Sequence, residues 1–178
     1  MPGMILKYGV VAGLLAGVPL SLVVIMWGDQ PPIANGMVIG YTIMLVALST
    51  VFVAIKRYRD VDGGGVVRFW PAFGMGLAIS FVAGVIYVIA WESSVAIAHL
   101  DFAGSYAQAT IAKARASGVS GEALAKIIAE MDDFKVQYAN PLFRWPMTFA
   151  EIFPVGVLVS LISAALLRNS RFLPARAA

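Results

Sequence analysis

The chain has 178 residues, 60% hydrophobic and 13% charged, with a formal net charge of +3 and a mean hydropathy of +0.84. Soluble domains carry about 25% charged residues, so this composition excludes a disordered chain, a basic nucleic-acid-binding domain and an ordinary globular enzyme. With no cysteine, disulfides, thiolate metal sites, lipidated cysteines and cysteine nucleophiles are excluded as well.

In chain order, four stretches are long enough to cross a bilayer, which takes about 20 mostly apolar residues. They are predicted at about residues 8–27, 33–55, 69–91 and 145–167. The first three carry no charge, and the fourth carries only Glu151. Trp27, Trp70, Trp91 and Trp145 all fall at predicted span ends, where an amphipathic ring sits best. The first run is too long for a signal-peptide core, and Ile25-Met26-Trp27 offers no small-x-small cleavage site, so it reads as a retained helix.

Loop charge then sets the orientation. The second connection carries Lys56, Arg57, Arg59 and Arg68, and the C-terminal tail carries Arg168, Arg171 and Arg176. The first connection, residues 28–32, has Asp29 and no basic residue. The positive-inside rule therefore places both termini and the 56–68 loop in the cytoplasm.

Residues 93–143 form the one sizeable polar segment, expected outside the membrane. Residues 103–117 are Ala-rich and predicted helical, ending at Gly118. In the next helix Leu124, Ile127, Ile128, Met131, Phe134 and Tyr138 recur at three- and four-residue steps and make one apolar stripe. Ser120 can cap that helix, and Asn140-Pro141 ends it. The expectation is a helical hairpin hinged at residues 118–121, whose stripe packs on the first helix or the outer mouth of the bundle, lies in the outer headgroup layer, or docks a partner. The fold class is an all-α membrane protein: four transmembrane helices with an extramembrane helical hairpin between the third and fourth, in a single domain over 1–178.

Small residues recur every fourth position on three spans: Gly9, Gly13 and Gly17; Gly76, Ser80 and Gly84; Gly156, Ser160 and Ala164. Such rows let backbones approach closely in lipid, either within the bundle or between copies of the chain. Glu151 is the one candidate for chemistry. It lies about 10 Å along the helix from Arg144, with Thr148 one turn before and Pro154 one turn after. Together with Tyr41 these define a candidate intramembrane polar site. Glu151 either fixes packing, by bonding a hydroxyl such as Tyr41 or Tyr87 or by pairing with Arg144, or serves a proton, ion or solute. The helical wheel sets it roughly opposite the Gly156/Ser160 row. His99 with Glu92 and Asp101 is too sparse for a metal site, Gly63-Gly64-Gly65 lacks the ending of a phosphate loop, and Asp60 and Asp62 are expected to be solvated. No catalytic residue, metal or cofactor is expected. The expected partners are the lipid bilayer and either a membrane protein or a second copy of the chain, with no nucleic acid.

Two segments carry a family resemblance. Gly40-Tyr-Thr-Ile-Met-Leu-Val-Ala-Leu-Ser49, continuing through Phe52-Val-Ala-Ile-Lys-Arg-Tyr-Arg-Asp60, resembles the second span of the domain-of-unknown-function 4199 family. Asn140-Pro-Leu-Phe143, Thr148-Phe-Ala-Glu-Ile-Phe-Pro-Val-Gly156 and Ser160-Leu-Ile-Ser163 resemble its last span. Ala54 and Pro146 depart from the expected pattern. The resemblance implies a multi-pass protein of the bacterial inner membrane without an assigned activity. It transfers no catalytic residue, but sets Tyr41, Thr42, Glu151, Pro154 and Gly156 inside the recognisable motifs.

Overall fold

The computed structural model describes residues 1–27 and 36–174. Asp29 with its loop, the predicted start of the second span at Ile33, and Arg176 lie outside the described residues. Six helices follow in order: α1 (Pro2–Trp27), α2 (Gly36–Arg57), α3 (Phe69–Ala98), α4 (Phe102–Ala116), α5 (Gly121–Tyr138) and α6 (Pro141–Leu167). No strand occurs among the described residues. Helices α1, α2, α3 and α6 are each long and apolar enough to cross a membrane. This is an all-α membrane protein.

The helices overrun the predicted spans. α1 begins at Pro2 instead of residue 8, α3 continues to Ala98 instead of 91, and α6 begins at Pro141 instead of 145. Charge marks where a helix leaves hydrocarbon, not where its hydrogen-bond ladder ends. Lys7, Glu92 and Arg144 therefore sit on helical turns. Asn140 starts α6, its side chain accepting from the Leu142 N–H at 3.0 Å, with Pro141 in the first turn. Ser120 precedes α5 as expected, yet its side chain makes no capping bond.

α3 is the spine of the bundle. α1 packs along it in parallel, and α6 packs along it antiparallel on another side. α2 completes the ring between α1 and α6. The first small-residue row makes the α1–α3 contact. A Cβ added at Gly9, Gly13 or Gly17 would lie 2.6, 2.6 and 2.7 Å from the Cβ of Val82, Ile86 and Ala90. Side chains there would force the helices apart. Near the end of this seam, the Ser94 hydroxyl bonds that of Ser21 at 2.8 Å.

The other two rows meet reciprocally. Gly76 faces Ser160, Gly156 faces Ser80, and the two serine hydroxyls are 3.4 Å apart. Ser160 also donates to the Gly156 carbonyl at 2.6 Å, so a polar pair is satisfied within a closed apolar seam. Gly84 differs: its neighbour is the ring of Phe149, which holds α3 and α6 apart at that level. The two helices are zipped tightly over half their length and wedged over the rest. Around the zipped half, Leu48, Val51, Ile55, Ile79, Ile152 and Leu167 are fully buried.

At the end carrying the 56–68 loop, α2 finishes in a wide π-type turn over Tyr58–Asp62. Arg59 in this turn is 0% exposed and donates to the carbonyls of Phe172 and Leu173 at 2.9 and 2.5 Å. Asp60 is not simply solvated, as the sequence suggested. It accepts from Arg59 Nε at 2.7 Å and pairs with Lys56 at 2.5 Å, because one further helical turn brings those cations beside it. Asp62 is exposed. The turn back into α3 uses Gly64 and Gly65 at positive φ, 59° and 87°, which glycine adopts without strain.

Candidate functional site

A second polar network, besides the one around Arg59, lies at the end that bears the hairpin. α4 and α5 pack on each other through the predicted stripe, turning at Gly118 with φ of 83°. Aromatic rings fill the base of the hairpin. Phe134 lies 5.5 Å from Tyr106 and 5.3 Å from Tyr138, and Tyr138 lies 5.4 Å from Phe102. Phe102 in turn meets Trp91 of α3 edge-on at 5.1 Å.

That cluster is tied to the bundle by a clasp. Trp91 Nε1 donates to the Tyr138 hydroxyl at 2.9 Å. Arg144 donates from Nε and Nη2 to both oxygens of Glu92, at 2.6 and 2.5 Å, and from Nη1 to the Tyr138 carbonyl at 3.1 Å. Its guanidinium also lies 5.5 Å from the Tyr138 ring centroid. The two-point fork is the geometry in which arginine binds a carboxylate best. Burial pushes the Tyr138 phenol from the ordinary 10.0 up to about 12, so it stays a neutral acceptor. The partners Glu92 and Arg144 are 52 residues apart, and no local spacing announces them.

One to three turns below Arg144 lie the predicted polar-site residues of α6, Thr148, Glu151 and Pro154. Glu151 does not pair with Arg144, whose fork is taken by Glu92. Its neighbour is the Tyr87 hydroxyl, 3.4 Å from Oε2. Tyr87 is 4% exposed and lies between α1, α2 and α6. On its other side is a cavity of about 130 Å³ lined by Ala16, Pro19, Leu20, Gly40 and Met44. Tyr41, 46% exposed, lies close by on α2. Glu151 and Pro154 are exposed while Thr148 is buried, its hydroxyl donating to the Arg144 carbonyl at 3.0 Å. The predicted notch of Thr148, Glu151 and Pro154 therefore does not form on one face. Thr148 is 60° round the helix from Glu151 at 100° per residue, enough to turn it into the packed seam. Gly156 and Ser160 are buried, consistent with the wheel that set them away from Glu151.

No group of three or more metal-ligating side chains occurs among the described residues. His99 ends α3 in a left-handed conformation, φ 49°, as its C-cap.

The fold and its clasped hairpin define an integral membrane protein with four helices long and apolar enough to span a bilayer. The family described as "Protein of unknown function (DUF4199)" matches residues 7–169, and the chain belongs to it. No curated protein and no solved structure matches the chain.

Proposed function

We propose that the chain is a non-enzymatic accessory or scaffold protein of the bacterial inner membrane, with both termini cytoplasmic and the hairpin outside. The orientation rests on Lys56, Arg57, Arg59 and Arg68 in one short connection. The observation that carries the role is the clasp. A hairpin needed only as a connector would not require a bidentate ion pair and a Trp–Tyr bond at its base. Held this way, α5 presents Glu122, Lys126, Glu130, Asp132, Asp133 and Lys135 on an exposed face, a preorganised polar surface for a partner.

A second reading is favoured by Glu151. A carboxylate exposed within a spanning helix, with one long contact to Tyr87, is costly in hydrocarbon and is more often kept for a proton, ion or solute than for packing. Against transport by a single copy stands the closed plug of Leu48, Ile79 and Ile152 beneath it.

Complementation of a deletion strain separates the two. Glu122→Lys with Asp133→Lys alters the hairpin surface without touching the clasp, whereas Glu151→Gln removes a titratable charge and keeps its shape. The accessory reading expects the first variant to fold and fail, and Glu151→Gln to fold and work. The reverse pattern overturns it in favour of transport. A reporter fused at Gly118 that reads cytoplasm overturns the orientation.

A further inference from the structure

The wedge at Phe149 opens a groove of about 690 Å³ between α3 and α6, on the flank of the bundle. Phe81, Val85 and Ile89 form one wall, and Leu142, Trp145 and Phe149 the other. It ends where Phe81 meets Phe149 edge-on, ring centres 5.5 Å apart, and beyond that the Gly76/Ser160 and Ser80/Gly156 seam is closed. At its opposite end it is rimmed by Glu92 and Ser93.

From Phe81 to Glu92 the groove runs about 16 Å, at 1.5 Å per residue. That is roughly half of a 30 Å hydrocarbon core, the depth of one leaflet. A second transmembrane helix needs a face running through both leaflets, and this face stops at the midplane. An acyl chain needs one leaflet and an apolar wall, both of which the groove supplies.

The rim identifies the headgroup. Glu92 offers a carboxylate to an ammonium. Arg144 beside it makes three hydrogen bonds, leaving two of its five N–H groups without a protein acceptor among the described residues. Those donors, with the Ser93 hydroxyl, suit a phosphate. A cation and an anion at the mouth of one apolar groove complement a zwitterion.

We infer that the α3–α6 groove binds one amine-bearing phospholipid in the leaflet on the hairpin side. Its chain lies along Val85 and Ile89, with its phosphate toward Arg144 and Ser93 and its ammonium on Glu92. The site is independent of whether the hairpin docks a partner or Glu151 moves an ion. It gives the clasp a ligand, since Glu92, which holds Arg144 in the clasp, also lines the mouth of the groove.

The test is native mass spectrometry of the delipidated full chain titrated with phosphatidylethanolamine or phosphatidylglycerol. One phosphatidylethanolamine per chain is expected, retained at least tenfold better than phosphatidylglycerol. Val85→Trp fills the groove and should lower that retention tenfold or more, while Val46→Trp, on an exposed face of α2 outside the groove, should not. Should Val85→Trp fail to fold, Ile89→Trp replaces it. Equal retention of the two lipids overturns the headgroup assignment, and unchanged retention in the groove variant overturns the site. A dimer that the groove variant converts to monomer without lipid loss assigns the groove to a second copy and overturns the proposal.

Discussion

Replacing Arg144 by Met keeps most of the side chain's apolar length and removes every polar contact of the clasp that it makes. Arg144 and Glu92 are 18% and 26% exposed, neither surface groups nor core groups. An exposed ion pair is worth about 0–1 kcal/mol, whereas stranding one partner of a fully buried pair costs about 3–5 kcal/mol. At this burial, and with a third bond to the Tyr138 carbonyl lost, the cost should be about 2–3 kcal/mol. The loss should fall on the hairpin, because the α1–α3 and α3–α6 seams do not involve Arg144. In the language of local opening, α4 and α5 should exchange amide hydrogens about 30 to 160 times faster, with bundle protection kept. The double variant Glu92→Gln with Arg144→Met should recover much of the protection, since no charge is then stranded. Unchanged exchange in α5, or a double variant as unstable as the single, would refute the reasoning.

Three further outcomes follow from the geometry. Gly13→Leu, whose Cβ would meet Ile86 at 2.6 Å and the Ala83 carbonyl at 3.0 Å, should lower detergent melting by the ~1–3 kcal/mol or more of an overpacked seam, while Gly3→Leu, with nothing within 4 Å, should not. Arg59→Leu should free the 168–173 tail to protease by removing two charge-assisted bonds, about 2–3 kcal/mol, with helicity retained. The raised Tyr138 pKa means that the folded chain holds a proton the unfolded chain releases above pH 10, so hairpin stability should be full below pH 10 and fall toward pH 12. Tyr138→Phe should remove that step from a pH series of hairpin exchange.

The spans were legible because lipid leaves so few options. A segment crossing hydrocarbon must satisfy its backbone internally and exclude charge, and both requirements are written in local composition. The small-residue rows were legible as contacts, but their partners were not. Sequence spacing says that Gly9, Gly13 and Gly17 admit a close neighbour, and only the fold shows that it is α3 and that the row is spent inside the chain. The clasp was hidden for the same reason. Glu92 and Arg144 each looked like a charge terminating a span, and their separation of 52 residues offers no periodicity to read. Arg59 was legible as a topogenic charge, yet its burial against the tail carbonyls depends on a π-type turn that no local signal demanded. Glu151 was found from sequence alone because an isolated charge in an apolar run stands out. Its partner among Tyr41, Tyr87 and Arg144 required the structure.

The two halves of the bundle divide the work. Toward the 56–68 loop, α3 and α6 meet through glycine and serine at near-backbone distance, and large aliphatic side chains fill the rest. Such packing has one solution and resists change. Toward the hairpin, Phe149 stands where a small residue would have closed the α3–α6 seam, Tyr87 occupies the centre, and ion pair, carboxylate and groove gather around them. Polar groups at membrane depth cost free energy that apolar packing would not, and a bundle built only for stability would extend its Gly–Ser seam to both ends. The Gly–Ser seam between α3 and α6 stops short of Phe149, and the clasp and the groove both lie on the hairpin side of it.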